Sequence, residues 1–131
     1  MSTIFQKIID KEIPAKIIYE DDDTLAFLDL AQNTKGHTLV IPKKATRNVL
    51  SADSKTIANV NIVAAKLAKE IIETFDAKGA NILSNAEEVA GQSVFHYHVH
   101  IIPRYTEDEL IFKTSETNFD LDKIHQALTN K

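Results

Sequence analysis

One run of ten residues constrains this chain more than any other. Ser93-Val94-Phe95-His96-Tyr97-His98-Val99-His100-Ile101-Ile102 alternates imidazoles with apolar side chains, and Pro103-Arg104 close it. The run is rich in β-branched and aromatic residues, so it reads as a strand. Successive side chains of a strand point to opposite faces, which puts His96, His98 and His100 on one face, neighbours ~7 Å apart. Phe95, Tyr97, Val99 and Ile101 line the other face and are expected to pack on a core. Any fold that accepts this strand must bury one side of it and leave the imidazole row usable on the other. Imidazole titrates near neutral pH, so such a row can supply a nucleophile, a proton donor and an orienting group. The same row can also bind zinc or copper, because neutral imidazole is a common ligand. No Asp, Glu or Cys stands beside it at ligand-like spacing.

The rest of the composition limits the context. A chain of 131 residues suits one domain, and 44% hydrophobic residues suffice for a packed core. No apolar stretch is long enough to cross a bilayer, and Met1 to Lys7 lack a basic start leading into an apolar run, so no membrane association and a cytoplasmic location are expected. The chain has no cysteine, hence neither disulfides nor thiolate metal sites. A net charge of −4 without a basic block argues against extended nucleic-acid binding, which needs a positive surface. A small nucleotide remains compatible with a locally polar pocket.

Periodicity orders the elements. Phe5, Ile8 and Ile9 have helical spacing, stopped by Ile13-Pro14. Lys16–Glu20 and Thr24–Asp29 read as strands joined by an Asp21-Asp22-Asp23 turn, and Gly36–Ile41 as a third, ended by Pro42. Ile57, Val60, Ala64, Leu67, Ile71 and Phe75 form the stripe of one long helix, roughly Asp53 to Phe75. Ala80–Asn85 is a fourth strand. A polar loop, Ala86 to Gln92, leads into the histidine strand, and Leu121, Ile124, Ala127 and Leu128 suggest a short final helix. The order, with hairpin-length connections, argues α+β with an antiparallel sheet.

Other residues carry weaker signals. Gly91-Gln92-Ser93 precedes the histidine strand, where a glycine permits close backbone approach and exposed amides with a hydroxyl can hold phosphate oxygens. Asp29 ends a strand, either as a turn residue or as an acceptor for two ribose hydroxyls. Asn85 has the same ambiguity. His37 at a strand start reads as structural, His125 as a surface residue, and Lys43-Lys44 as solvated.

Taken together, these blocks resemble a known family. His96 to Ile102 is similar to the signature of the histidine triad family, His-φ-His-φ-His-φ-φ with φ apolar. Thr3–Ile9, Glu12–Asp21, Gly36–Lys44 and Gly91–His96 resemble the Hint branch, the histidine triad nucleotide-binding proteins, and the likeness covers most of Thr3 to Arg104. It implies a single domain over residues 1–131 with a carboxy-terminal extension from about 105. It implies a five-stranded antiparallel sheet per protomer with a long and a short helix, joined as a ten-stranded sheet in a homodimer. It further implies a pocket for a purine nucleoside monophosphate, or its phosphoramidate or acyl conjugate, with hydrolysis at the α-phosphorus and no cofactor. Carried over by position, His98 is the nucleophile, His100 contacts phosphate or assists the leaving group, and His96 and His37 orient the others. Asp29 would bind the ribose hydroxyls. Asn85, Gly91, Gln92 and Ser93 would hold phosphate and leaving group, and Phe5, Ile8, Phe27, Leu30 and Leu39 would wall the base. Many bacterial relatives bind zinc through a Cys-x-x-Cys pair and a later histidine. Thr3, Gln6 and Ala45 occupy those positions here, so that zinc is not expected.

The chemistry these residues allow is attack by a neutral His98 imidazole on phosphorus, giving a nucleotidyl-histidine that water then cleaves. A second imidazole or the Ser93 hydroxyl would help the leaving amine take a proton, with amides around Gly91 to Ser93 stabilising the equatorial oxygens. Two alternatives stand beside phosphoramidate hydrolysis. One is dinucleoside polyphosphate hydrolysis of the Fhit type, whose strand also ends in Pro-Arg. The other is a non-catalytic nucleotide-binding or adaptor protein.

Overall fold

The computed structural model describes residues 3–130; Met1, Ser2 and Lys131, and with them the start of the amino-terminal reading, lie outside the described residues. Helix α1 (Ile4–Ile9) begins at Thr3, whose hydroxyl accepts from the Gln6 amide at 3.1 Å. Strands β1 (Ile17–Glu20) and β2 (Thr24–Leu28) form the expected hairpin. Its turn is set by Asp21, whose Oδ1 accepts from the Asp23 and Thr24 amides, both at 2.8 Å. Strand β3 (Thr38–Pro42) pairs antiparallel with β2 over its whole length.

Helix α2 (Ser54–Phe75) then crosses the sheet. Asp53 caps it by accepting from the Thr56 amide at 2.8 Å, and Asp76 ends it in the left-handed region. Strand β4 (Gly79–Leu83) takes one edge, and β5 (Val99–Arg104) inserts between it and β3. The sheet is antiparallel with order β1-β2-β3-β5-β4, an α+β fold. Helix α3 (Leu121–Thr129) lies in the tail beyond β5, and among the described residues it buries no side chain.

The two faces of the sheet have separate cores, and strand alternation decides which residue serves which. Ala26, Val40, Val99 and Ile101 face α2 and pack with Val60, Ala64, Leu67 and Ile71. Leu25, Phe27, Leu39 and Ile41 face the other way and pack with Phe5 and Ile8 of α1. His100, opposite Leu39 and Leu83 in the ladder, belongs to this second face.

Several expectations need correction. The ladder of β5 starts only at Val99, so His96 and His98 lie in a bent approach to the strand and only His100 is within it. The segment leaves the ladder because its groups find other partners: the Tyr97 amide donates to the Thr46 carbonyl at 2.8 Å. Tyr97, Val99 and Ile101 pack on the core as expected, but Phe95 is exposed. Pro103 and Arg104 continue β5 instead of closing it. Asn85 lies beyond β4, and Asp29 just beyond β2. The polar loop contains a 3-10 turn, Glu88–Ala90.

Candidate active site

The three imidazoles come together with a fourth, and carbonyl partners set the tautomers of His96 and His98. His96 Nε2 lies 2.8 Å from the Pro42 carbonyl, which can only accept, so Nε2 carries the proton. His98 Nδ1 lies 2.7 Å from the His96 carbonyl; the proton is therefore on Nδ1 and the lone pair on Nε2. His37 Nδ1 lies 3.1 Å from the Ala31 carbonyl and 3.4 Å from the Asn33 amide, and its Nε2 lies 3.0 Å from His100 Nδ1. The rings of His98 and His100 stand edge to face with centroids 5.1 Å apart, closer than a flat strand would place them. Phe5 supports the row from α1, with its ring 5.1 Å from His98 and edge-on to it.

Burial sets the charge state. His96 and His98 are nine-tenths or more buried, and desolvation pushes both below the ordinary histidine value. His100 falls to about 4 through desolvation, reinforced by repulsion from His98 and His37. At neutral pH, His98 thus presents an uncharged nitrogen. The neutral imidazole is the reactive form, and a lowered folded value keeps it neutral further into acid. Activity dependent on His98 is therefore expected to hold at the ordinary value of 6.5 and to be lost only below it. A pH profile of kcat/KM with its acid limb at or above 6.5 would contradict this.

Asp29 reaches the same site. Its Oδ2 stands 3.6 Å from His37 Nε2, while Oδ1 accepts from the Ala31 amide at 2.9 Å. Donor atoms of Asp29, His37 and His100 lie within 4.8 Å of one another, a set that could hold a metal ion. Spacing along the chain showed no carboxylate near the row; the fold supplies one from the end of β2. Thr3, Gln6 and Ala45, the positions matched to zinc ligands by the resemblance, share a cleft with His96, and Thr3 there caps α1.

A narrow apolar cavity of about 150 Å³ adjoins Asp29 and is walled by Phe5, Ile8, Phe27, Leu30 and Leu39. Four of these are buried, whereas Leu30 is 96% exposed and forms an outer lip. On the other side of the histidines is the loop Gly91-Gln92-Ser93. Gly91 has φ +101°, a conformation that favours glycine, and a Cβ there would also make a tight 3.3 Å contact with Asn85 Nδ2.

The loop corrects one assignment. Gln92 is buried, its Oε1 accepting from the Glu87 amide at 2.8 Å and its Nε2 donating to the carbonyls of Arg47 at 2.7 Å and Val94 at 3.0 Å. The amides of Gly91 and Gln92 are bonded to the carbonyls of Glu88 and Glu87. Gln92 therefore shapes the loop internally, and the exposed Ser93 is left to meet a ligand.

Sequence reasoning missed Ser84, whose hydroxyl donates to the His98 carbonyl at 2.8 Å, and the loop partners Arg47, Asn48 and Glu87. None has a local signature, since each acts on residues distant in the chain. Arg104, the Fhit-like feature, binds Asn81 Oδ1 at 2.6 Å, Glu109 and tail carbonyls. His37, expected to be structural, is 1% exposed and bonded to His100 within the site.

A crossed antiparallel sheet with a buried imidazole row beside a glycine loop defines a histidine-triad class of site. Comparisons agree. The HIT domain family model matches residues 10–107. Protein hit of Bacillus subtilis is 42% identical over 134 residues, covering 98% of this chain and 92% of that protein. A crystal structure of a Streptococcus mutans protein superposes with a TM-score of 0.89 at 42% identity, covering 97% of this chain and 81% of that one. A histidine triad nucleotide-binding protein from Candida albicans superposes with a TM-score of 0.85 at 29% identity, covering 98% and 94%. The chain belongs to the HIT family, a superfamily of nucleotide-binding hydrolases and transferases.

Proposed function

We propose that this site hydrolyses purine nucleoside 5′-phosphoramidates at the α-phosphorus through a nucleotidyl-His98 intermediate. One observation carries the reading: the Nδ1 proton of His98 is committed to the His96 carbonyl at 2.7 Å, which leaves Nε2 as a neutral nucleophile. In the first step Nε2 forms a bond to phosphorus, the bond from phosphorus to the amine nitrogen breaks, and the amine takes a proton. A phosphate brings negative charge beside His100, which raises its proton affinity and suits it to relay that proton. Ser93 contributes its hydroxyl to the phosphate oxygens. Water then cleaves the bond between phosphorus and Nε2, releasing the mononucleotide and restoring His98.

A substrate panel tests the reading. A purine nucleoside phosphoramidate is expected to give a higher kcat/KM than diadenosine polyphosphates. The reverse order would transfer the site to the Fhit type, and no turnover of either, with tight nucleotide binding, would make it a sensor or adaptor. Engagement of Arg104 by the tail favours the first outcome.

Asp29 is assigned to the ribose hydroxyls, and the cavity beyond it to the base. Asp29→Asn is expected to weaken ribonucleotide binding by ~1–3 kcal/mol and to narrow the gap to 2′-deoxynucleotides. Calorimetric titration of both nucleotides into wild type and variant measures that gap; an unchanged gap would return Asp29 to a turn role.

The active form is assigned as a homodimer of two such HIT domains, each with its extension, paired along β4 into a ten-stranded sheet. Support comes from the free edge of β4, where Ile82 is exposed, and from exposed Ile62 on α2. Sedimentation is expected to give twice the 14.7 kDa chain mass at micromolar concentration. A single monomer species would refute the pairing.

A further inference from the structure

Glu87 has a backbone conformation that its side chain should avoid. Its φ of 78° and ψ of 160° fall in a region that is essentially glycine-only. Such a conformation persists only where its surroundings over-determine it. Here they do. The Glu87 carboxylate accepts a fork from Arg47, Nε to Oε2 at 2.7 Å and Nη2 to Oε1 at 2.8 Å, and a third bond from Asn48 Nδ2 at 2.8 Å. Its amide donates to Gln92 Oε1 at 2.8 Å, and its carbonyl accepts from the Ala90 and Gln92 amides at 3.0 and 3.1 Å.

These bonds enclose the whole loop that ends at Ser93. Arg47 also lies over the Phe95 ring, 4.2 Å from its centroid, so one guanidinium grips the chain on both sides of Ser93. Asn48 is itself buried and reaches Gln92 Oε1 at 3.2 Å, which closes the network. Arg47 holds the Glu87 carboxyl down at about 2, so it stays ionised at any pH where the histidines are neutral. None of these hydrogen bonds involves an imidazole.

We infer that Glu87 is a positioning residue: its carboxylate, anchored by Arg47 and Asn48, holds the loop in a strained conformation that presents Ser93 to the phosphate. The inference rests on the nucleotide reading of the site and concerns the phosphate half of it alone. Glu87 then contributes to phosphate recognition without contacting the ligand, while the base cavity and Asp29 are lined from α1, β2 and β3, and the loop reaches their core only through Val94.

Calorimetry with adenosine 5′-monophosphate and with adenosine separates the two halves. Wild type is expected to bind the monophosphate more tightly. Glu87→Ala, which leaves a non-glycine residue at the strained position but removes its anchors, is expected to lose at least tenfold in monophosphate affinity while adenosine changes less than twofold. Glu87→Gln keeps an oxygen for Asn48 and Arg47 and is expected to recover part of the loss. The unchanged adenosine affinity doubles as the control for folding. Equal losses for both ligands would assign Glu87 a merely structural role, and no loss for either would leave it no role in the loop; each overturns the inference. If wild type itself shows no preference for the monophosphate, the nucleotide reading fails and this inference with it.

Discussion

His98→Ala is expected to lose at least ~10³-fold in turnover while keeping its fold and most of its nucleotide affinity. The size follows from the role. Removing a group that only orients the substrate leaves the same reaction path with a worse geometry, whereas removing the nucleophile deletes the covalent path. The fold should tolerate the change because the His98 side chain bonds only to a carbonyl within its own segment. The His98 backbone is held separately, through the Ser84 hydroxyl. Residual activity near wild type, in protein shown to be folded, would remove His98 from the reaction.

Ile101→Ala is expected to be the most damaging single truncation of the scaffold, costing ~2–5 kcal/mol. Ile101 is fully buried, stands opposite Thr38 on one side and Ile82 on the other, and faces α2. Its loss opens a hole where the helix meets the central strand, and sheet pairing on both sides limits collapse around it. Denaturant titration at fixed protein concentration measures the cost as a shift in midpoint with the slope unchanged. A cost below about 1 kcal/mol would mean that β5 is not the centre of the core. Specific activity per folded molecule should survive better than stability, because the preceding residue, His100, faces the opposite core.

These two residues show how much of the molecule was legible in the chain. Alternation along Val99 and Ile101 correctly placed the side of β5 that faces α2, with Tyr97 ahead of the strand in the same core, because period 2 is a local property of the backbone. The stripe from Ile57 to Ile71 gave the long helix through the matching period of the α-helix. The bend that removes His96 and His98 from the ladder was not legible, since it depends on the carbonyls of Pro42 and Thr46 from another part of the chain. Likewise, the pairing of His37 with His100, and the approach of Asp29 to both, are tertiary facts. The resemblance carried Gln92 over for phosphate and leaving group, and only its four side-chain hydrogen bonds within the loop network reveal an internal role. The network of Arg47, Asn48 and Glu87 left no trace in spacing, because its members serve a loop and not a periodic element.

The central claim is that a neutral His98 nitrogen attacks phosphorus. Rapid mixing of enzyme with a purine nucleoside phosphoramidate, quenched within one turnover and followed by peptide mass analysis, tests it most directly. The account predicts a nucleotidyl group on the peptide containing His98, absent from His98→Ala and lost from wild type as product accumulates. Product formed in a first turnover with no adduct at any time, or an adduct on His96 or His100 instead, would contradict it.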